Sequence, residues 1–359
     1  GDPDTNGAAS AASGFGAGGT LADIADLSAR KAFDAIRANL NYTLADKPLA
    51  LDLVYSKIDE NIINKNDDDD LYGVNANYPV TDSLSTELYF WTRERHPDFI
   101  NVAGAVTPAA LTPSPSQKKT ERLHTVGTRG VYTGIENLTL QGEYAAQMGN
   151  KLIDQTTMPN EFVDPDNRGG NRVDHSFVKA NAWALQLIGS YAFSDVQNKP
   201  VLGASYTHLS GEKPDSTGAW NAWDPMYENQ AGETIFNKIL GYTNCDLINV
   251  NASLKPDFVD GLTVAANWYH ILLDQPLAGN KNERGTRSNY ILSGIVGGQG
   301  YSVTSDRHLG DEIDLGLTYD YTEDVQLGLN LGWLVPGDAL QTSTDATASQ
   351  AIASMKVVF

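Results

Sequence analysis

Segments in which apolar and polar residues alternate run along the chain from residue 33 to its end. In 311–321, for example, Ile313, Leu315 and Leu317 alternate with Glu312 and Asp314. A β-strand places successive side chains on opposite faces, so this period of two predicts strands with one apolar and one polar face. Each segment has about ten residues, which is the length that crosses a bilayer as a tilted strand. We predict thirteen strands: 33–44, 49–58, 71–78, 84–95, 121–132, 138–148, 180–193, 200–209, 246–254, 262–273, 311–321, 325–334 and 348–359.

The connections between these strands alternate between short and long. Short turns are predicted at 45–48, 79–83, 133–137, 194–199, 255–261 and 322–324, and long segments at 59–70, 96–120, 149–179, 210–245, 274–310 and 335–347. Up-and-down transmembrane barrels have short periplasmic turns and long external loops. In a Greek-key sandwich the long connections have no reason to fall at every second position. The predicted fold is therefore all-β: a transmembrane antiparallel up-and-down β-barrel over residues 32–359, preceded by a Gly- and Ala-rich flexible loop or tail at 1–31.

Composition excludes several other classes of protein. The 359 residues include 45 Asp and Glu but only 25 Lys and Arg, a formal charge of −20 that argues against nucleic acid as a partner. The lone Cys245 excludes an intramolecular disulfide, and no apolar run is long enough for a transmembrane helix. The histidines lack metal-protease spacing, and there is no GxSxG motif and no P-loop, so we predict that the chain is not an enzyme. We expect no cofactor other than Ca²⁺ in the external loops.

Aromatic residues stand near the ends of the apolar rows, where hydrocarbon would meet lipid headgroups. They are Tyr42, Tyr55, Tyr78, Tyr144, Tyr191, Trp268, Tyr321 and Trp333. The alternative is that tyrosine is simply favoured in strands. The chain ends on Phe359 after an alternating strand, which is similar to the assembly signal of bacterial outer-membrane barrels and implies recognition by the barrel-assembly machinery.

Strand parity predicts which charged and amide side chains point into the barrel. The predicted pore-lining residues are Arg37, Arg93, Arg129, Glu143, Gln147, Glu312 and Asp314. The alternative is that these charges pair with one another and merely stabilise the wall.

Two loop segments carry further hypotheses. The run Asp67, Asp68, Asp69 and Asp70 can share a Ca²⁺ ion, because Ca²⁺ takes oxygen ligands. Its alternative is a solvated acidic loop. The segment Asn221–Tyr227 can fold inward as a gate, stack on a glycan, or form a small packed cluster.

Several motifs resemble the alginate-export family of outer-membrane barrels. They include AFDAIR at 32–37, LDLVYSKIDE at 51–60, LHTVGTR at 123–129, EYAAQMG at 143–149 and GASYTHLSGE at 203–212. The resemblance implies a barrel of eighteen strands, so we expect that five strands precede this chain. In that family, lumenal arginines form a cationic constriction that passes an anionic polysaccharide. Arg37 and Arg129 fall on matching motif positions.

The predicted function is an outer-membrane channel that passes an anionic or polar solute, with polysaccharide export as its specific form. The alternative is a barrel scaffold around another protein, such as a multihaem cytochrome, and a soluble all-β binding protein is a third class. The channel implies location in the bacterial outer membrane, with lipid and lipopolysaccharide around it. A periplasmic or lumenal protein is a further predicted partner.

Overall fold

The structure is a computed structural model that describes residues 34–59, 69–95, 120–153, 176–212, 219–226, 235–236, 242–276, 304–340 and 346–358. The regular elements whose bounds are described in these ranges are β-strands. The same ranges contain no helix of the length and apolarity that crossing a membrane requires.

The described part of the chain contains fourteen strands. They are β1 Asp34–Leu44, β2 Lys47–Asp59, β3 Asp69–Thr81, β4 Leu84–Arg95, β5 Glu121–Ile135, β6 Leu138–Ile153, β7 Ser176–Ala192, β8 Val201–Leu209, β9 Ala219–Trp220, β10 Cys245–Leu254, β11 Leu262–Leu273, β12 His308–Asp320, β13 Val325–Pro336 and β14 Ala348–Val357.

Each long strand pairs antiparallel with the next long strand, in the order β1 to β8 and then β10 to β14. The predicted all-β, up-and-down architecture is therefore confirmed, as are the thirteen strands in their predicted order. The sequence did not predict β9, whose two residues pair in parallel with β7. The predicted tail at 1–31 and Phe359 lie outside the described residues, and the count of eighteen strands stays a prediction.

Strand ends differ from the predicted ones, because local pattern does not show where pairing stops. The first turn is only Ala45 and Asp46, both with positive φ, so Pro48 already pairs with Thr43. At the other end of the sheet β3 begins at Asp69, inside the predicted loop 59–70. Two residues with positive φ match the right-handed twist of the strands that they join, which accounts for so tight a turn.

One face of the sheet, here called the outer face, exposes the apolar rows. Leu88 is 63% exposed, Val250 is 49% exposed and Trp268 is 41% exposed. Of the predicted aromatic girdle, the residues Tyr42, Tyr55, Tyr144, Tyr191, Trp268, Tyr321 and Trp333 are exposed large side chains. An apolar surface that continues across every strand is stable against hydrocarbon and not against water. The outer face is therefore the lipid-facing face.

The opposite face, here called the inner face, is polar along most of each strand. Asn249 and Asn251 on β10 lie on this face, and the Asn251 amide donates to Asn249 Oδ1. Near the long connections, however, the inner sides of β8 and β10–β13 carry a buried apolar cluster. Its members include Leu209, Leu247, Ile271, Leu334 and Phe236. The main packed core of the described residues thus lies on the inner face.

Replacing Val250 by Arg tests the assignment of faces, since Val250 lies mid-strand on the outer face. We expect Val250→Arg to lower the free energy of unfolding by about 2–4 kcal/mol, the cost of a cation near the bilayer midplane. Asn251→Arg, at the next residue and on the inner face, is the matched control with a much smaller effect. Urea titration in lipid vesicles measures both, and equal losses would contradict the assignment.

Candidate functional site

The long connection between β8 and β10 returns onto the inner face. Residues 219–226, here called the docked segment, begin with β9, where Ala219 pairs with Lys179 and Trp220 with Ala180. The Trp223 N–H then donates to the Ser210 carbonyl at 2.8 Å. Of the alternatives for Asn221–Tyr227, the inward fold is the one observed for residues 221–226.

Asp224 fixes the docked segment to the wall through charge. Its carboxylate accepts from Arg93 Nη1 at 3.1 Å and Nη2 at 2.7 Å, and it also pairs with the Lys151 ammonium. Arg93 binds Glu121 at 2.8 Å as well, and Arg93 and Glu121 are 3% and 1% exposed. The four groups form an alternating network in which each charge faces an opposite one, with Arg93 and Glu121 buried and Asp224 and Lys151 at 11% and 19% exposure. Such a network is costly to break, because a single removal leaves a buried charge without compensation.

Gln147 adds a second, geometrically specific attachment. Its amide Nε2 donates to the Asp224 carbonyl at 2.7 Å, and its Oε1 accepts from the Asp224 N–H at 3.0 Å. The Asp224 side chain also accepts from the Met226 N–H at 2.8 Å, which closes a local turn. Both the side chain and the main chain of Asp224 are thus bound to the wall, which sets the position of the docked segment on β6.

The surrounding cations control the ionisation of Asp224. Burial by itself would raise the pKa of the carboxyl group, but the charges of Lys151 and Arg93, together with their hydrogen bonds, outweigh this effect. The pKa of Asp224 is consequently held well below its ordinary value. The docked state therefore binds the carboxylate form.

The same connection reaches the inner face again at β12. The Glu312 carboxylate accepts from the N–H groups of Ile235 at 2.6 Å and Phe236 at 2.8 Å. Phe236 is fully buried in the apolar cluster, with Trp223 packed at its margin. In the sheet, β7, β8, β10 and β11 lie between β6 and β12. Two described parts of one connection thus contact the inner face, residues 219–226 at β4–β7 and residues 235–236 at β12.

The predicted pore-lining residues therefore divide into two groups. All seven side chains point to the inner face of the sheet. Arg93, Gln147 and Glu312 are nevertheless buried, at 3%, 3% and 0% exposure. The expectation that these three side chains face a solute is not met, because the β8–β10 connection covers them. The alternation of residues along a strand shows to which face each side chain points. It carries no information about what packs on that face.

The other predicted residues remain partly accessible and form local pairs. Arg37 binds Asp52 through two hydrogen bonds of 2.9 and 2.8 Å. Arg129 donates to Glu87 at 3.2 Å and to Gln141 at 2.8 Å. The remaining two are Glu143, which accepts from the Tyr89 hydroxyl at 2.5 Å, and Asp314, which is half-buried opposite Gly332.

The acidic run does not form the predicted site in its described part. Asp69 and Asp70 lie in β3, not in a loop, and as neighbouring strand residues they point to opposite faces. Asp69 pairs with Arg95, and Asp70 accepts from the Tyr55 hydroxyl. Asp67 and Asp68 lie outside the described residues. Because the two described carboxylates diverge, a single Ca²⁺ cannot be shared by all four.

Sequence reasoning missed the partners that make the docked segment. Asp224, Lys151 and Glu121 come from separate parts of the chain and belong to no motif. The one available signal was the aromatic and proline content of 221–227, which singled out this segment within a polar loop.

Comparison with known proteins places the chain among transport barrels. The family model described as alginate export matches residues 21–354. No curated protein matches the sequence significantly. Among solved structures, OprB of Pseudomonas putida is 10% identical, over 86% of this chain and 72% of OprB, with a TM-score of 0.42.

Two further solved structures are similar at the same level. OmpT of Vibrio cholerae is 12% identical, over 90% of this chain and 91% of OmpT, with a TM-score of 0.35. A variant of the ferric enterobactin receptor of Pseudomonas aeruginosa is 10% identical, over 88% of this chain and 44% of the receptor, with a TM-score of 0.41. These similarities are too weak to decide the fold, which rests on the strand register and the family match.

Asp224→Asn should release the docked segment. The amide keeps the shape of the side chain but removes the charge that faces Arg93 and Lys151, and breaking a buried ion pair costs about 3–5 kcal/mol. We expect amide hydrogen exchange in peptides covering 219–226 to accelerate, with the strands unchanged. Asp257→Asn, in the exposed β10–β11 turn, is the control. Unchanged protection of 219–226 in Asp224→Asn would contradict the role of this charge.

The lowered pKa of Asp224 also determines how docking of residues 219–226 depends on pH. A carboxyl group whose pKa is lowered on docking stabilises the docked state above its ordinary pKa, and this stabilisation is lost as pH falls through the lowered pKa. Protection of 219–226 should therefore persist through the range near pH 4, where an ordinary aspartate titrates, and disappear only in stronger acid. Loss of protection at or above about pH 4 would show that the Asp224 carboxylate is not stabilised in this way.

Proposed function

The chain belongs to the alginate export family, and from this premise we propose that it is an outer-membrane channel that exports an anionic, hydroxyl-rich polysaccharide. Family membership makes the chain a barrel of the bacterial outer membrane and a channel. It also makes outer-membrane lipid and lipopolysaccharide its surroundings. The solute and the direction of its movement are the proposed part.

The exposure of Arg129 is the observation that carries the proposal. Arg129 on β5 lies opposite Glu87 on β4 and Glu143 on β6, and its side chain is 35% exposed against 25% for its partner Glu87. At the Arg37 pair the order is the same, with 63% for the Arg37 side chain and 19% for Asp52, and Arg37 lies on the edge strand β1, where every residue is exposed. In both pairs the cation is more accessible than the acid to a solute on the inner face. A guanidinium binds a carboxylate through two parallel hydrogen bonds, which suits the uronate groups of an acidic polysaccharide.

Amide side chains on the same face suit the rest of such a polymer. Asn77, Gln141 and Gln186 lie on the inner face beside the charged pairs, and Asn39 donates to Asp52 at 2.9 Å. An amide offers both donors and acceptors, so it exchanges hydrogen bonds with sugar hydroxyls in either direction. A wall of amides therefore supports passage of a hydroxylated chain without holding it tightly at one point.

The docked segment supports a narrow path for this solute. It covers the inner face of β4–β7 near the long connections and leaves Arg129, closer to the short turns, partly open. A polymer would then pass as a single extended chain and meet the exposed arginines in turn. The same coverage argues against the scaffold alternative, because a lumenal protein such as a multihaem cytochrome would have to pack where the docked segment already packs.

Paired arginine substitutions test the proposal. Charge-assisted hydrogen bonds contribute about 1.5–3 kcal/mol, so loss of one contact should weaken binding by about tenfold or more. We expect Arg37→Gln with Arg129→Gln to raise, by about that factor, the concentration of polyuronate oligosaccharide that blocks half of the single-channel current.

The matched control is Arg122→Gln. Arg122 lies on the same strand as Arg129 but on the outer face, where it binds Glu94 and is 55% exposed. It should not alter block, and neutral oligosaccharides of equal length should respond to none of the variants. An equal effect of Arg122→Gln, or no effect of the double variant, would contradict an anionic polysaccharide as the solute.

A further inference from the structure

Two histidines and an aspartate meet on the outer face, at the end of β11 and β12 next to their long connection. His270 Nδ1 lies 2.9 Å from Asp311 Oδ1, and His308 Nε2 lies 3.1 Å from Asp311 Oδ2. The imidazole rings are 4.9 Å apart between centroids. One potential ligand atom from each residue lies within 4.8 Å of the other two.

A β-bulge creates this arrangement. His308 and Asp311 are three residues apart, so in a regular strand they would point to opposite faces. The register between β11 and β12 shifts between Ile271 and Leu272, which turns Leu309 into the buried cluster and His308 to the side of Asp311. Bulges often re-aim a side chain next to a functional site.

Gly310 makes the bulge feasible. Its φ is 154°, and a Cβ atom at this position would collide with the Val335 carbonyl. Only glycine therefore fits without strain. The local backbone is thus adapted to bring His308 beside Asp311, and a histidine at an ordinary strand position would not reach it.

The three side chains are partly exposed. Their exposures are 30% for His270, 32% for His308 and 35% for Asp311. Among the described residues the imidazoles are the only basic side chains on Asp311, because the neighbouring Arg307 binds Asp246 and the Leu273 carbonyl instead. His270 also stacks on Trp268, at 6.0 Å between centroids. His308 is the first residue of β12, so the cluster lies at the strand ends next to the long connection.

We propose that His270, His308 and Asp311 form an external binding site for a divalent transition-metal ion of the zinc, nickel or copper class. Two imidazole nitrogens and one carboxylate oxygen suit these ions, whereas calcium and magnesium take mainly oxygen ligands. Three protein ligands leave a coordination position for water or for a donor from outside the protein. The site is separate from the proposed polysaccharide path, because it lies on the outer face.

The present distances between the ligand atoms are close to those in a metal-bound site. Bonds of about 2.0–2.2 Å in a tetrahedral site place ligand atoms roughly 3.4 Å apart. The described atoms are hydrogen-bonded at 2.9 and 3.1 Å to Asp311, so a small rotation of the exposed imidazoles is enough to admit an ion. In the bound form each histidine presents a lone pair to the metal and carries its proton on the other ring nitrogen.

A second group on the same face is a weaker candidate. His208, Asp246 and Asp274 also lie within reach of one ion. Asp246, however, already accepts from the Tyr206 hydroxyl and from His208, and Arg307 lies 3.1 Å from it. The positive guanidinium opposes a bound cation, and one imidazole supplies fewer nitrogen ligands. This group therefore serves as the internal control.

Copper(II) titration of the purified full chain in detergent micelles tests the proposal. We expect one equivalent to bind, with an electron paramagnetic resonance spectrum that shows coupling to two nitrogen nuclei, and zinc to displace it. His270→Gln and His308→Gln should each reduce coupling to one nitrogen and weaken binding by at least tenfold. Asp311→Asn should weaken binding while the two-nitrogen pattern remains in the residual signal.

The controls separate this site from others. His208→Gln should leave the spectrum unchanged, and so should His124→Gln, whose imidazole on the outer face of β5 contacts Thr92 Oγ1 at 2.9 Å. Circular dichroism checks that each variant is folded. Binding that survives the double variant of His270 and His308, or that His208→Gln removes, would overturn the proposal. Displacement of copper by millimolar magnesium would overturn it as well.

Discussion

The absence of water in the bilayer core is the constraint on which the whole structure depends. A backbone N–H or C=O group without a partner costs several kcal/mol in hydrocarbon, so strands can cross only as members of a continuous hydrogen-bonded ladder. The uninterrupted pairing of β1 to β8 and β10 to β14 satisfies that demand between strands. Because pairing uses the backbone alone, the side chains are free to differ by face. Apolar residues such as Val250 and Leu88 face lipid on one side of the sheet. The polar residues on the other side are available for function.

The inner face shows a second consequence of the absence of water, which is that buried charges need partners. Charges such as Arg93 and Glu121 lie almost fully out of water, and such charges are retained only with partners. The β8–β10 connection supplies Asp224 as a partner of Arg93, which also binds Glu121, and it supplies the Ile235 and Phe236 N–H groups to Glu312. The charges thus hold a loop, and the loop decides which inner residues a solute can meet. The more open Arg129 is left for recognition in the function that we propose.

The outer rim adds a feature that neither parity nor composition predicts. His270 faces Asp311 as its cross-strand partner, and His308 reaches the same carboxylate because one bulge shifts the register by a residue. Gly310 is the condition for that bulge, since only glycine fits beside the Val335 carbonyl. The rim and the inner face are therefore chemically independent, with nitrogen ligands outside and paired charges inside.

The sequence by itself determined the thirteen long strands, their order and the face to which the seven predicted pore-lining side chains point, because a period of two and alternating connection lengths are local properties of the chain. It placed Arg37 and Arg129 correctly on the polar side, and it was wrong about Asp69 and Asp70, whose strand extends further than its hydrophobic pattern. Only the tertiary structure decided that Arg93, Gln147 and Glu312 are covered, and that Asp224 is what covers them at β4 and β6. The physical reason is that contacts between a loop and a distant strand depend on complementary charge in three dimensions, which leaves no periodic trace along the chain.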